Sequence, residues 1–168
     1  MKYVALLRGI GPANPNMHGS KLKGVLEDLG FKNVMPVISS GNVVFETGQT
    51  DISAMETDME RAWPAKLGFN SATIIRSQTQ LRALVDADPY KGLEHSRENY
   101  LLVTFFKKPS KPEGDYVAAK GVNALCSNID TTASKTPDFM SKLERQYGKD
   151  ITSRTWLTIH RILKKMES

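Results

Sequence analysis

Val37-Ile38-Ser39-Ser40-Gly41-Asn42-Val43-Val44-Phe45 sets two β-branched, apolar runs on either side of a Ser-Ser-Gly-Asn turn, the pattern of a β-hairpin. Val43, Val44 and Phe45 are consecutive and apolar, with no polar alternation, so both faces of the strand after the turn must be covered. The turn concentrates small polar groups in one place. One short stretch therefore predicts a central strand and a candidate binding rim together.

Working outward, Tyr3 to Ile10 reads as a first strand. Gly11-Pro12-Ala13-Asn14-Pro15-Asn16 is a loop in which neither strand nor helix can continue. Ser20 is the expected cap of a helix with Leu22, Val25, Leu26 and Leu29 at helical spacing and Gly30 as its stop. Strands follow at 34–38 and 42–46. A helix then starts near Asp51 and carries Ile52, Met55, Met59, Ala62 and Trp63 on one stripe, with Pro64 expected to kink or end it. Ala72 to Arg76 is a fourth strand. The order βαββαβ predicts an α+β fold whose first half, residues 1–77, is a ferredoxin-like plait.

Residues 78–168 read as a second, looser α+β half that packs on the first sheet, the alternative being one compact domain. Ser77-Gln78-Thr79-Gln80 is a capping box opening a helix with Leu81, Leu84 and Val85. Tyr100 to Phe106 is a strand, and weaker strands are expected at 116–119 and 122–127. Thr136-Pro137 opens a helix that ends at Gly148, and a last helix is expected from Ser153 to Met166. A right-handed crossover makes strands one and two of the plait parallel, so Arg8-Gly9-Ile10 and Ser39-Ser40-Gly41-Asn42 should be spatial neighbours.

Composition bounds the function. The chain has 168 residues, 40% of them hydrophobic, and a net charge of +5. That content suits a folded domain, no apolar run approaches a membrane span, and the charge favours an anionic partner. Cys126 is the single cysteine, read as a small buried hydrophobe in a cytoplasmic protein. His18, His95 and His160 lack the spacing of a metal site, so no metal and no cofactor are expected.

The quoted segments are also where the chain resembles a known family. Tyr3-Val4-Ala5-Leu6-Leu7-Arg8-Gly9-Ile10, Leu29-Gly30-Phe31-Lys32-Asn33-Val34 and Ile38 to Phe45 are similar to the bacterial family catalogued as domain of unknown function 1697. Ser141-Lys142-Leu143-Glu144 and Thr152-Ser153-Arg154-Thr155-Trp156 correspond near the C-terminus. The resemblance implies a two-part, ferredoxin-like α+β fold and no established activity. Two departures stand out. Gly11-Pro12-Ala13-Asn14 replaces the family's Asn, apolar residue and Gly pair, and Thr155 and Leu157 replace two late asparagines.

The residues expected to bind a ligand are Arg8, Ser40, Asn42, Lys142 and Arg154. A guanidinium beside hydroxyls and turn N–H groups is an anion receptor. The plainer explanation is that Arg8 pairs with a carboxylate while Gly41 and Asn42 only shape the turn. Arg154, Ser153 and Trp156 would form the N-terminus of the last helix, beside Lys142, or else a core tryptophan with a solvated basic face.

The expected function is binding of a phosphorylated or carboxylated small molecule in a cleft between the halves. One alternative is an enzyme acting on such a molecule, although no Ser/His/Asp or Cys/His arrangement and no nucleotide-binding glycine loop is present. The other is a protein-interaction or non-specific nucleic-acid module. Tyr3 and Phe45 are the only rings on the central strands, so a nucleic acid would meet only Lys107, Lys108, Lys111, Arg161, Lys164 and Lys165. The oligomeric state does not follow from the sequence.

Overall fold

Asn42–Glu46 is the strand around which the first sheet is ordered. A computed structural model describes residues 1–11, 13–38, 41–108, 116–117, 121–133 and 135–168. They fall into two units, residues 1–79 with 161–168, and residues 80–160.

The first unit contains β1 (Lys2–Leu7), a 3-10 turn (Pro15–Met17), α1 (Gly19–Asp28), β2 (Lys32–Pro36), β3 (Asn42–Glu46), α2 (Ile52–Leu67) and β4 (Thr73–Ser77). The sheet order is β2-β3-β1-β4, and every neighbouring pair is antiparallel. Tyr3, Ala5, Leu7, Val43, Phe45 and Ile75 share one core with Leu22, Val25 and Leu26 of α1 and Met55, Met59 and Trp63 of α2. Residues of the opposite parity, Val4, Leu6, Val44 and Ile74, are equally buried. Both faces of β3 are thus covered, as its unbroken apolar run requires. Tyr3 and Phe45 stack on each other inside that core, where no base could reach them.

Two local expectations are corrected. The first helix is not capped by Ser20. Asn14 and Pro15 build the 3-10 turn, and His18 becomes the N-cap, its carbonyl accepting from Lys21 and Leu22. Pro64 does not end α2, which continues through Leu67; the proline removes one N–H at the start of the helix's last turn. Its own carbonyl accepts from Gly68 at 3.2 Å, and Gly68 closes the helix with φ +75°.

β4 is an edge strand with an unusual guard. Glu56 and Glu60 are one turn apart on α2, and their carboxylates accept from the N–H groups of Ile75 (2.9 Å) and Thr73 (3.1 Å). Four helical residues rise about 6 Å and two strand residues about 6.7 Å, so the two spacings match. The carboxylates occupy edge donors that would otherwise invite another strand.

The second unit comprises the rest of α3 (Gln78–Asp86), β5 (Tyr100–Phe106), β6 (Tyr116–Val117), β7 (Ala124–Ile129), α4 (Thr136–Tyr147), β8 (Ile151–Thr155) and the start of α5 (Trp156–Glu167). Its order, β6-β7-β5-β8, is again wholly antiparallel. The helix expected from Ser153 is corrected. Ile151–Thr155 pairs with β5 as a strand, and α5 starts at Trp156, with Thr155 Oγ1 accepting from the Thr158 N–H. The Ser/Thr content that reads as a cap also suits a strand, and here sheet pairing prevails.

The two sheets repeat each other down to single bonds. Leu7 N–H donates to the Gly41 carbonyl at 2.9 Å, and Phe106 N–H donates to the Asn123 carbonyl at 3.1 Å. Arg8 N–H donates to Ala72 at 2.9 Å, and Lys107 N–H donates to Asp150 at 3.1 Å. Gly41 and Asn123 both have positive φ. Val4 faces Arg76 across the ladder, and Val103 faces Arg154. The second half is therefore not looser in topology than the first.

Candidate functional site

Arg8 leaves the end of β1 where three loops of the first unit meet. Its N–H is held by Ala72 and its carbonyl accepts from Ser71 Oγ at 2.6 Å, so the half-buried side chain starts from a point fixed on both sides. The hairpin loop lies against the same corner. A Cβ at Gly41 would stand 2.6 Å from Ile10 Cγ1 and 3.1 Å from the Leu7 carbonyl oxygen. The loops after β1 and β2 are thus neighbours, as the crossover argument requires.

Asn42 is 1% exposed, and its amide donates to the Val37 carbonyl at 3.1 Å, closing the hairpin from within. It faces away from solvent. Ser40 lies outside the described residues.

Ile38 has φ +58° and is 41% exposed. A β-branched residue in that conformation costs about 1–2 kcal/mol, because Cβ crowds the following carbonyl. Ile38→Gly is therefore expected to raise stability by about 1 kcal/mol in a urea titration, since glycine adopts positive φ freely and little burial is lost. An unchanged or lower midpoint would count against strain at this position.

Arg154 lies on β8, and its guanidinium donates to Thr152 Oγ1 (2.6 Å) and to the Ser153 carbonyl (2.8 Å). Part of the residue's surface is open, but the guanidinium head is desolvated, which lowers its pKa to about 10. Arg76 holds the equivalent place on β4 and donates to the Ile75 carbonyl at 2.9 Å. Burial lowers its pKa to about 10 as well, with the Glu56 carboxylate pulling it back up. Both remain cations at neutral pH.

Lys142 is exposed on α4, whose Leu143 packs with Ile151 of β8. Three residues further along that strand, Arg154 has the opposite parity and so projects from the other face of the sheet. Lys142 and Arg154 do not share a site. Trp156 packs edge-on against Tyr90 and His160, at 5.0 and 4.8 Å. Arg76 escapes sequence reasoning, although Ile75-Arg76-Ser77 and Ser153-Arg154-Thr155 repeat an Arg-hydroxyl pair at the end of each fourth strand.

Burial pushes the Cys126 thiol up to about 12, against the pull of the hydrogen-bonding Tyr90 side chain. An unfolded thiol ionises near 9, so the folded state keeps a proton that the unfolded state loses. Its contribution is complete below pH 9 and falls as pH rises toward 12. At pH 10 wild type should have lost about 1.4 kcal/mol relative to Cys126→Ala, compared with neutral pH. Parallel pH–stability curves for the two proteins would contradict the assignment.

Among the described residues, each unit has a cavity of its own. One of about 620 Å³ in the first unit is lined by Lys2, Lys23, Glu27, Asn33 and Glu46, among others. Its charges are balanced, and its polar groups already engage protein partners: Lys2 Nζ donates to the Met166 carbonyl at 2.7 Å and Asn33 donates to Glu46. The other, of about 230 Å³ in the second unit, is lined by Phe106, Lys108, Tyr147, Lys149 and Asp150, among others. Among the described residues no group of three or more His, Cys, Asp or Glu side chains could hold a metal ion, and no helix is long and apolar enough to cross a membrane.

No curated protein matches the chain. Among solved structures, it is similar to the conserved bacterial protein SP0830 from Streptococcus pneumoniae, with a TM-score of 0.74 and 18% identity over 98% of each chain. At that identity the likeness establishes the fold alone. The family described as protein of unknown function (DUF1697) matches residues 1–132, and the chain belongs to that family.

Proposed function

We propose that this chain is a binding domain for a small anionic ligand, phosphorylated or carboxylated, whose charge is received by Arg8. The carrying observation is the clamped corner: Arg8 is held through its N–H and its carbonyl, and Gly41 is seated against Ile10. With its backbone fixed, only the side-chain rotamers of Arg8 remain to be ordered on pairing with an oxyanion, and the planar guanidinium fork offers two donors at once. Gly9, with φ +73°, shapes the same loop beside Arg8. Ile38, strained and exposed on the neighbouring hairpin, supplies an apolar contact for the body of the ligand. Backbone strain stored at such a loop is common where binding is performed.

The strand order of the first sheet, with α1 and α2 packed on one of its faces, supports reading the first unit as a ferredoxin-like plait, and a single buried cysteine fits a reducing cytoplasm. A thermal-shift titration with pyrophosphate at low ionic strength tests the binding role. Wild type should gain several degrees, and Arg8→Gln should gain less than wild type while keeping its own ligand-free melting temperature. No gain in wild type, or an equal gain in Arg8→Gln, contradicts it.

A further inference from the structure

We infer that the second unit carries an anion site of its own, built at the corner equivalent to that of Arg8 and suited to the phosphate dianion of a small phosphorylated compound. The cavity of about 230 Å³ opens there, with Lys108, Tyr147, Lys149 and Asp150 around it and Phe106 and Ile151 along its base. Lys107 takes the place of Arg8, and its N–H is tied to the Asp150 carbonyl. Asn123 takes the place of Gly41 and does more than glycine could. Its amide donates to the carbonyls of Phe106 (3.0 Å) and Lys108 (2.8 Å), so the backbone that carries both lysines is pinned as it leaves β5. Tyr147 is held edge-on against Phe106 at 4.9 Å between ring centres.

Electrostatics select the ligand class. The cavity lies at the C-terminus of α4, where the helix pole is negative, and Asp150 adds a carboxylate. Lys108 and Lys149 on its wall outweigh these two contributions by a small margin, leaving the cavity weakly positive. A singly charged carboxylate gains little in such a field. A phosphate monoester, with close to two negative charges and three acceptor oxygens, can engage two ammonium groups at once. The site is thus a second one, independent of Arg8 in its residues and in its test.

Calorimetric titration of pyrophosphate into wild type, Arg8→Gln and Lys108→Gln/Lys149→Gln separates the two sites. Lys108 and Lys149 are exposed, and surface contacts of such side chains are worth little, so the double variant should melt within a few degrees of wild type. The double variant is expected to lose one binding event, with affinity there falling at least tenfold, while Arg8→Gln keeps that event. Asp150→Asn should strengthen it, and acetate should bind at least tenfold more weakly than pyrophosphate. Unchanged binding in the double variant overturns the inference even if Arg8→Gln loses its own event. Equal binding of acetate, or tighter binding of a short oligonucleotide than of pyrophosphate at equal phosphate concentration, also overturns it.

Discussion

Glu56→Ala is expected to destabilise the protein by about 3–5 kcal/mol, the cost of leaving one member of a buried charge pair without its partner. Glu56 is 4% exposed and Arg76 is 5% exposed. The Arg76 guanidinium pays a desolvation penalty that lowers its pKa, and the Glu56 carboxylate is what offsets it. The same carboxylate accepts from the Ile75 N–H at the edge of β4, so truncation also strips the acceptor from that backbone donor. Two further variants separate these effects. Glu56→Gln keeps an acceptor for Ile75 but not the charge, and should lie between wild type and Glu56→Ala. Arg76→Met with Glu56→Met removes both charges, and should recover much of the loss despite the missing edge guard. Urea unfolding of the four proteins measures all of this. A loss below about 1 kcal/mol in Glu56→Ala would mean that the pair is solvated after all.

Gly41→Ala is the second large effect, expected at about 3 kcal/mol. Two costs add here. With φ +73°, any residue bearing a Cβ pays about 1–2 kcal/mol in the left-handed region. The new methyl would also stand 2.6 Å from Ile10 Cγ1 and 3.1 Å from the Leu7 carbonyl oxygen, and relieving such overlap costs a further 1–3 kcal/mol, roughly. Ile10→Ala in the same chain opens space for the methyl but leaves the φ cost and the Leu7 contact, so the double variant should regain only part of the loss. Full recovery would assign the whole effect to the Ile10 side chain. The substitution should also weaken anion binding, because Ile10 and the loop that carries Arg8 must move to admit the methyl.

These two sites differ in how far the sequence discloses them. The hairpin is legible because Gly41 and Asn42 are turn residues between β-branched runs, and local chemistry suffices to place them. Its contact with the loop after β1 follows from the handedness of the crossover. The carboxylate guard on β4 is not legible, since it depends on the angle at which α2 crosses the sheet. Arg76 is hidden for a similar reason, as its burial is decided by register and by what covers the second face.

The repeat between the units is hidden by chemistry and spacing. Equivalent positions hold Leu7 and Phe106, Arg8 and Lys107, Gly41 and Asn123, and the connecting segments differ in length. Only the hydrogen-bond ladder reveals it. β8 is missed because five residues rich in Ser and Thr satisfy a helix cap as well as a strand, and pairing with β5 decides between them.

The proposed reception of an anion by Arg8 and the loops clamped around it is read out by backbone amide resonances during a titration with pyrophosphate. The expected result is a saturable shift at Gly9, Ile10, Gly41 and Ala72, absent in Arg8→Gln. Saturable binding that leaves those four amides unmoved, or that moves them equally in Arg8→Gln, would contradict it.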